Sequence, residues 1–274
     1  MTQGLDILFC NPPSKGGKGG RMTNRFAKFI LIAGLVFPAC GCSLWEADAP
    51  PPPLPPAAPI DPDAATRPTT ASVNVTMPDA RDFQHPWDRS TYILRVTQFG
   101  QLAPLNGGVA FVGDSLTDWA RWGEIFPNQR VRNFGIAGDT TVGLQHRLNQ
   151  VIAAEPAKVF LMIGTNDVEF GRPPETIVAN IEDMLVQLQA GLPFVRIYVE
   201  SLLPREAKWD DKVRAVNTLL KAATAKHGAV YVDLYPLFVT NGRLDPRLTA
   251  DDIHLAGDGY VRWCNIIRPY IGND

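Results

Sequence analysis

The run Val109-Ala110-Phe111-Val112 leads straight into Gly113-Asp114-Ser115-Leu116-Thr117, and a helical pattern follows from Asp118 to Trp122. A short unbroken apolar run bounded by glycine reads as a strand buried on both faces, the habit of parallel sheets covered by helices. Such sheets bind ligands beyond the carboxyl ends of their strands, which is where Ser115 falls. A helix starting there also offers unpaired N–H groups and the positive end of its dipole, and both suit a developing negative charge. Ser115 is therefore a candidate nucleophile. Gly-Asp-Ser also serves as ordinary turn chemistry, so this stretch alone leaves both readings open.

The alternation continues along the chain. Tyr92, Ile93, Val96 and Phe99 carry the spacing of an amphipathic helix ahead of the first strand. Strands are expected at 130–135, 158–163, 194–199 and 229–233, with helices at 142–153, 173–190, 210–227 and 257–270. In the second of these helices Ile177, Ile181, Leu185 and Leu188 share one face, and Pro173-Pro174-Glu175 suits a helix start. Five strands alternating with helices predict one α/β domain over 83–274, a five-stranded parallel sheet with helices on both faces.

Three polar loops end successive strands: Gly113-Asp114-Ser115-Leu116, Gly138-Asp139-Thr140-Thr141 and Gly164-Thr165-Asn166-Asp167. Parallel strands put these ends on one side, so Ser115, the Gly138 backbone and the Asn166 side chain are expected to converge. Asp251 and His254 arrive from a late loop, spaced so that the histidine can accept a serine proton while the aspartate holds its other ring nitrogen. His254 alone of the four histidines has this arrangement; His85, His146 and His227 read as solvated surface residues.

The front of the chain is of another kind. After an aperiodic segment, Met22 opens a basic stretch and the apolar run Phe29–Phe37, too short to span a bilayer and of the length of a signal-peptide core. Pro38-Ala39-Cys40-Gly41-Cys42-Ser43 follows and resembles the lipobox of bacterial lipoproteins. That resemblance implies lipidation at Cys42, or alternatively Cys40, and an exported, membrane-anchored domain in the periplasm or at the surface of a bacterial outer membrane. A plain cleaved signal and an uncleaved anchor are the alternatives. Residues 1–42 are thus read as extension and leader. Residues 43–82, dominated by proline from Pro50 to Pro56, are read as an extended, semi-rigid tether. Three of the four cysteines lie before residue 43, so Cys264 has no partner for a disulfide within the domain and reads as a core thiol. A net charge of −2 with no basic stripe gives no case for nucleic-acid binding. No Cys or His spacing suits a metal.

Four blocks in order, Gly113-Asp114-Ser115-Leu116, Gly135-Ile136-Ala137-Gly138-Asp139, Gly164-Thr165-Asn166-Asp167 and Asp251-Asp252-Ile253-His254, resemble those of the GDSL family of the SGNH-hydrolase superfamily. The stretch 133–141 is similar to the branch of platelet-activating-factor acetylhydrolase subunits and bacterial carbohydrate acetylesterases. The resemblance implies a flavodoxin-like three-layer α/β/α sandwich and hydrolysis of carboxylic esters without metal or organic cofactor, with short-acyl esters of a carbohydrate or small molecule as substrates. It implies Ser115 as nucleophile, His254 as base, Asp251 as its partner, and the Ser115 and Gly138 N–H groups with the Asn166 amide as oxyanion hole. Asp114, Asp139 and Asp167 are expected to support these loops, Asp139 as a helix cap, and Asp252 is the alternative to Asp251. Trp119, Trp122 and Trp209 read as packing residues or as platforms for a sugar ring. An O-acyltransferase with the same triad, a long-chain lipase or lysophospholipase, and a non-catalytic binding lipoprotein are the other readings. Oligomeric state is not legible.

Overall fold

A computed structural model describes residues 75–83 and 86–272. The leader, most of the tether and His85 lie outside the described residues. Among the described residues no helix is long and apolar enough to cross a membrane.

Five strands form one parallel sheet: β1 (Val109–Gly113), β2 (Val131–Gly135), β3 (Lys158–Met162), β4 (Arg196–Glu200) and β5 (Val230–Val232), in the order β2-β1-β3-β4-β5. The central strands are apolar throughout because both faces are covered; all of β1 and β3 is buried. The order reverses direction once, at β1, which runs between β2 and β3 with Gly113 opposite both Gly135 and Met162. A reversal of this kind opens a crevice at the carboxyl edge.

The main helices are α1 (Pro86–Phe99), α4 (Thr141–Ala153), α6 (Pro174–Gly191), α7 (Asp210–Lys226) and α8 (Gly257–Ile271). Right-handed crossovers put α4, α6 and α7 side by side on one face. The opposite face is sealed by aromatic packing. Phe111 stacks on Trp122 with ring centroids 3.7 Å apart, and Trp263 of α8 meets Trp122 edge-on at 5.1 Å. Trp122 is thus a core residue. The result is the expected α/β/α sandwich with a five-stranded parallel sheet.

Three local features depart from the sequence reading. The helical pattern after Ser115 is two single turns, α2 (Ser115–Asp118) and α3 (Trp122–Ile125), rather than one helix. The loop after β3 contains a helical turn of its own, α5 (Thr165–Glu169). The long loop before Asp251 carries a small antiparallel hairpin, β6 (Val239–Thr240) and β7 (Arg243–Leu244). All three are too short for a periodicity to register. Residues ahead of 83 also lie against the domain: Val75 packs on the core, and Asp82 pairs with Arg172 at 3.2 Å.

Candidate active site

Ser115 is the first residue of α2, directly after β1, so its N–H has no acceptor within the helix. With only one turn behind it, that site offers oriented N–H groups rather than a long helix's dipole. Gly113 lets the junction close: a Cβ there would come 2.2 Å from the Met162 carbonyl oxygen. Asp114 caps the turn, accepting from the Leu116 N–H at 3.1 Å. Its other carboxylate oxygen is buried and has no partner among the described residues. Burial pushes the Asp114 carboxyl up to about 7, and the neighbouring Asp139 and Asp167 carboxylates add to the shift.

The late loop brings His254 over the serine. Ser115 Oγ lies 2.9 Å from His254 Nε2, and His254 Nδ1 lies 2.7 Å from Asp251 Oδ2. The second Asp251 oxygen accepts the backbone N–H groups of His254 at 2.7 Å and Ile253 at 3.0 Å. The carboxylate is therefore clamped to the loop that carries its own histidine, the economy of an Asp-x-x-His spacing. Partial burial raises its pKa, but the His254 ring and the two N–H groups outweigh that and hold Asp251 at about 2. Asp252 faces elsewhere: its backbone is left-handed, with φ 65°, and its carboxylate pairs with Arg243 of β7. Of the two adjacent aspartates, the structure joins Asp251 to His254.

The other two loops flank the serine. Gly138 has φ +79°, and a Cβ there would meet the Asp88 carboxyl at 2.9 Å, so glycine is required twice over. Asn166 sits in α5 and donates one amide hydrogen to the Asp139 carbonyl at 2.7 Å. An asparagine amide has two such hydrogens, so this bond uses one and leaves the second. Asp139 does not cap α4. Thr140 takes that place, accepting from the Gly143 N–H at 3.2 Å. Asp139 instead accepts from Arg147 Nε at 2.8 Å in a fully buried pair. Asp167 binds the Thr141 N–H at 2.9 Å and hydroxyl at 2.6 Å, and takes Arg172 at 2.6 Å, tying α5 to the start of α4.

Two buried arginines that the sequence reading passed over organise these loops. Arg147 also donates to the Phe134 and Gly113 carbonyls at 2.8 and 3.1 Å, pinning the ends of β2 and β1 together. Arg205 donates to the Thr165 carbonyl at 2.7 Å and to Glu169 at 2.6 Å, gripping α5 from both ends. Arg147 had a signal: it lies three residues after Leu144 and four before Val151, on the buried face of α4. Arg205 lies in an irregular loop and had none. Trp119 is half exposed, and its ring sits 4.1 Å from that of His254. His227 pairs with Glu182 at 3.1 Å, remote from this cluster. Cys264 is buried, as expected, and burial pushes its thiol up to about 12. Among the described residues no group of three or more His, Cys, Asp or Glu side chains is arranged to hold a metal ion.

Residues 111–262, from β1 into α8, match the model of the GDSL-like lipase/acylhydrolase family. The chain is 32% identical over 174 residues to platelet-activating factor acetylhydrolase IB subunit alpha1 of Bos taurus, covering 60% of this chain and 74% of that one. It is equally similar to the alpha2 subunit of Rattus norvegicus, covering 75% of that protein. Among solved structures, a GDSL-like lipase from Bacteroides thetaiotaomicron superposes with a TM-score of 0.60 at 25% identity, over 66% of this chain and 97% of that one. The fold is also shared with the acetylxylan esterase Axe2 of Geobacillus stearothermophilus, with a TM-score of 0.51 at 20% identity, over 62% of this chain and 95% of that one. The chain belongs to the GDSL-like lipase/acylhydrolase family and is a carboxylic ester hydrolase.

Proposed function

We propose that the chain is an exported serine esterase that cleaves short-acyl, foremost acetyl, esters of a carbohydrate or another small molecule. The observation that carries the mechanism is the continuous relay Ser115 Oγ–His254 Nε2–Asp251, at 2.9 and 2.7 Å. Ser115 attacks the ester carbonyl while His254 takes its proton. Asp251, ionised throughout the neutral range, orients the ring and stabilises the imidazolium. The Ser115 and Gly138 N–H groups and the free Asn166 amide hydrogen receive the oxyanion. His254 then returns the proton to the departing alcohol oxygen, and water releases the acyl group by the same steps in reverse. The acetyl preference draws on the curated relatives, which are acetylhydrolases by name. The leader pattern before Cys42 supports export and a lipid anchor in a bacterial outer membrane.

The test is hydrolysis of p-nitrophenyl esters from acetate to laurate by the full chain and by its Ser115→Ala variant. Highest kcat/KM on acetate, falling by at least 10³-fold in the variant, is the expected result. A maximum at long acyl chains overturns the acetyl assignment in favour of a lipase. Turnover that survives the substitution overturns Ser115 as nucleophile.

A further inference from the structure

His254 must reach two oxygens in turn, that of Ser115 and that of the leaving alcohol. The alcohol part of the substrate therefore lies on the His254 side of the serine. Two of the three proposed oxyanion donors, Gly138 and Asn166, come from other loops, those after β2 and β3. Trp119 stands on the His254 side, its indole against the imidazole at a ring distance of 4.1 Å. The same indole is a wall of a cavity of about 420 Å³ between the α2–α3 turns and α8. Gly257, three residues beyond His254, lines it too. That volume falls in the range of small-molecule sites.

The lining decides what fits. Ile125, Tyr260, Val261 and Cys264 give the cavity apolar walls, against which Asn265 sets a single side-chain amide. Val261 is 61% exposed and Trp119 51% exposed, so two large apolar side chains of the lining are left uncovered. The charged groups at the mouth already have partners: Arg121 is paired with Glu124 at 2.7 Å, and the Arg268 guanidinium lies over the Phe126 ring at 5.1 Å. A polyol would have to leave hydroxyls against apolar walls, at a cost for each one unpaired. An alkyl or aryl group would lose nothing there and would cover Trp119 and Val261.

We infer that this cavity is the alcohol subsite and that it takes an apolar alkyl or aryl alcohol rather than a sugar. The inference rests on the esterase reading and narrows its alcohol to the small-molecule alternative. As the acyl group stays on Ser115, the freed alcohol receives its proton from His254 and departs along the Trp119 indole.

The experiment holds the acyl group at acetyl and varies the alcohol: methyl, butyl, hexyl and 2-naphthyl acetates, with a peracetylated methyl glucoside as the polyol. Full-length protein is compared with Val261→Glu, which puts a charge in the mouth, and Val261→Trp, which fills it. Position 261 is exposed and outside the reacting groups, and circular dichroism reports folding in each variant. The expected result is a KM that falls about fourfold per added methylene with kcat steady. Both variants then raise KM for hexyl and naphthyl acetates at least tenfold, and far more than they raise it for methyl acetate. A KM flat across the alcohols, a preference for the sugar acetate, or selectivity that survives both substitutions overturns the subsite while the esterase stands. Absence of Ser115-dependent hydrolysis of every acetate overturns the esterase reading and this inference with it.

Discussion

Asp251 keeps half its side chain in solvent and is held at about 2, whereas Glu200, wholly enclosed at the end of β4, is pushed up to about 8 by burial. The difference lies in partners. Asp251 accepts from the His254 ring and two backbone N–H groups, while Glu200 has the Trp263 indole N–H at 2.6 Å to oppose its desolvation. Asp251 was legible because its chemistry is local, three residues from the histidine it serves. Glu200 was not, since its environment is made by α8, more than sixty residues away in the chain. The consequence for stability has a definite sign. An unfolded glutamate releases its proton near its ordinary value of 4.5, whereas the folded one keeps it until about 8. Between those values the folded state binds more protons, so stability falls as pH rises through that window. Glu200→Gln preserves the acceptor for Trp263 and removes the titration. The variant is expected to gain on the wild type by a few kcal/mol from pH 5 to pH 8. Urea midpoints at the two pH values check this, and a difference between the proteins that does not change with pH would refute it.

At the scale of elements, the strands and long helices followed from apolar runs and helical spacing, because burial on a parallel sheet imposes both. What sequence left hidden is how the carboxyl edges of the strands are fastened together. Arg147 does this from the inward face of α4, bonding the Gly113 carbonyl of β1, the Phe134 carbonyl of β2 and the Asp139 carboxylate at once. An arginine among leucines in a helix gives no hint that its targets are strand ends, since those are chosen by the crossover and not by neighbours in the chain. The same pairing places Asp139, whose carbonyl holds Asn166, so site and scaffold share one ion pair. Arg147→Met should cost about 3–5 kcal/mol, because it strands the Asp139 charge in the interior. Adding Asp139→Asn should recover part of that loss, a coupling that separates an orphaned charge from simple loss of packing. Chemical denaturation of the two single variants and the double variant measures it. Additive losses would mean that the two residues act independently.

On the scale of the whole molecule, the proposed leader and the proline-rich stretch precede residue 83, and every residue of the relay lies from 115 to 254. Chemistry and address are therefore separable. The small residues ahead of Cys42, directly after a run of signal-peptide length, are the pattern by which a lipid would be attached. A single acyl chain anchors weakly and two anchor firmly, so the proposed modification would be the difference between a membrane-held and a freely diffusing esterase. Expressed whole in a bacterial host, the chain is expected to enter the detergent phase on phase separation. Cys42→Ser should move it to the aqueous phase, while Cys40→Ser leaves it in place. Ester turnover per molecule should be equal in all three, because no relay residue has changed. Exchange of the two phenotypes would put the lipid on Cys40. Aqueous partitioning of the unsubstituted chain would replace the anchor with a plain cleaved signal, and with it the picture of an enzyme that meets its apolar esters at a membrane surface.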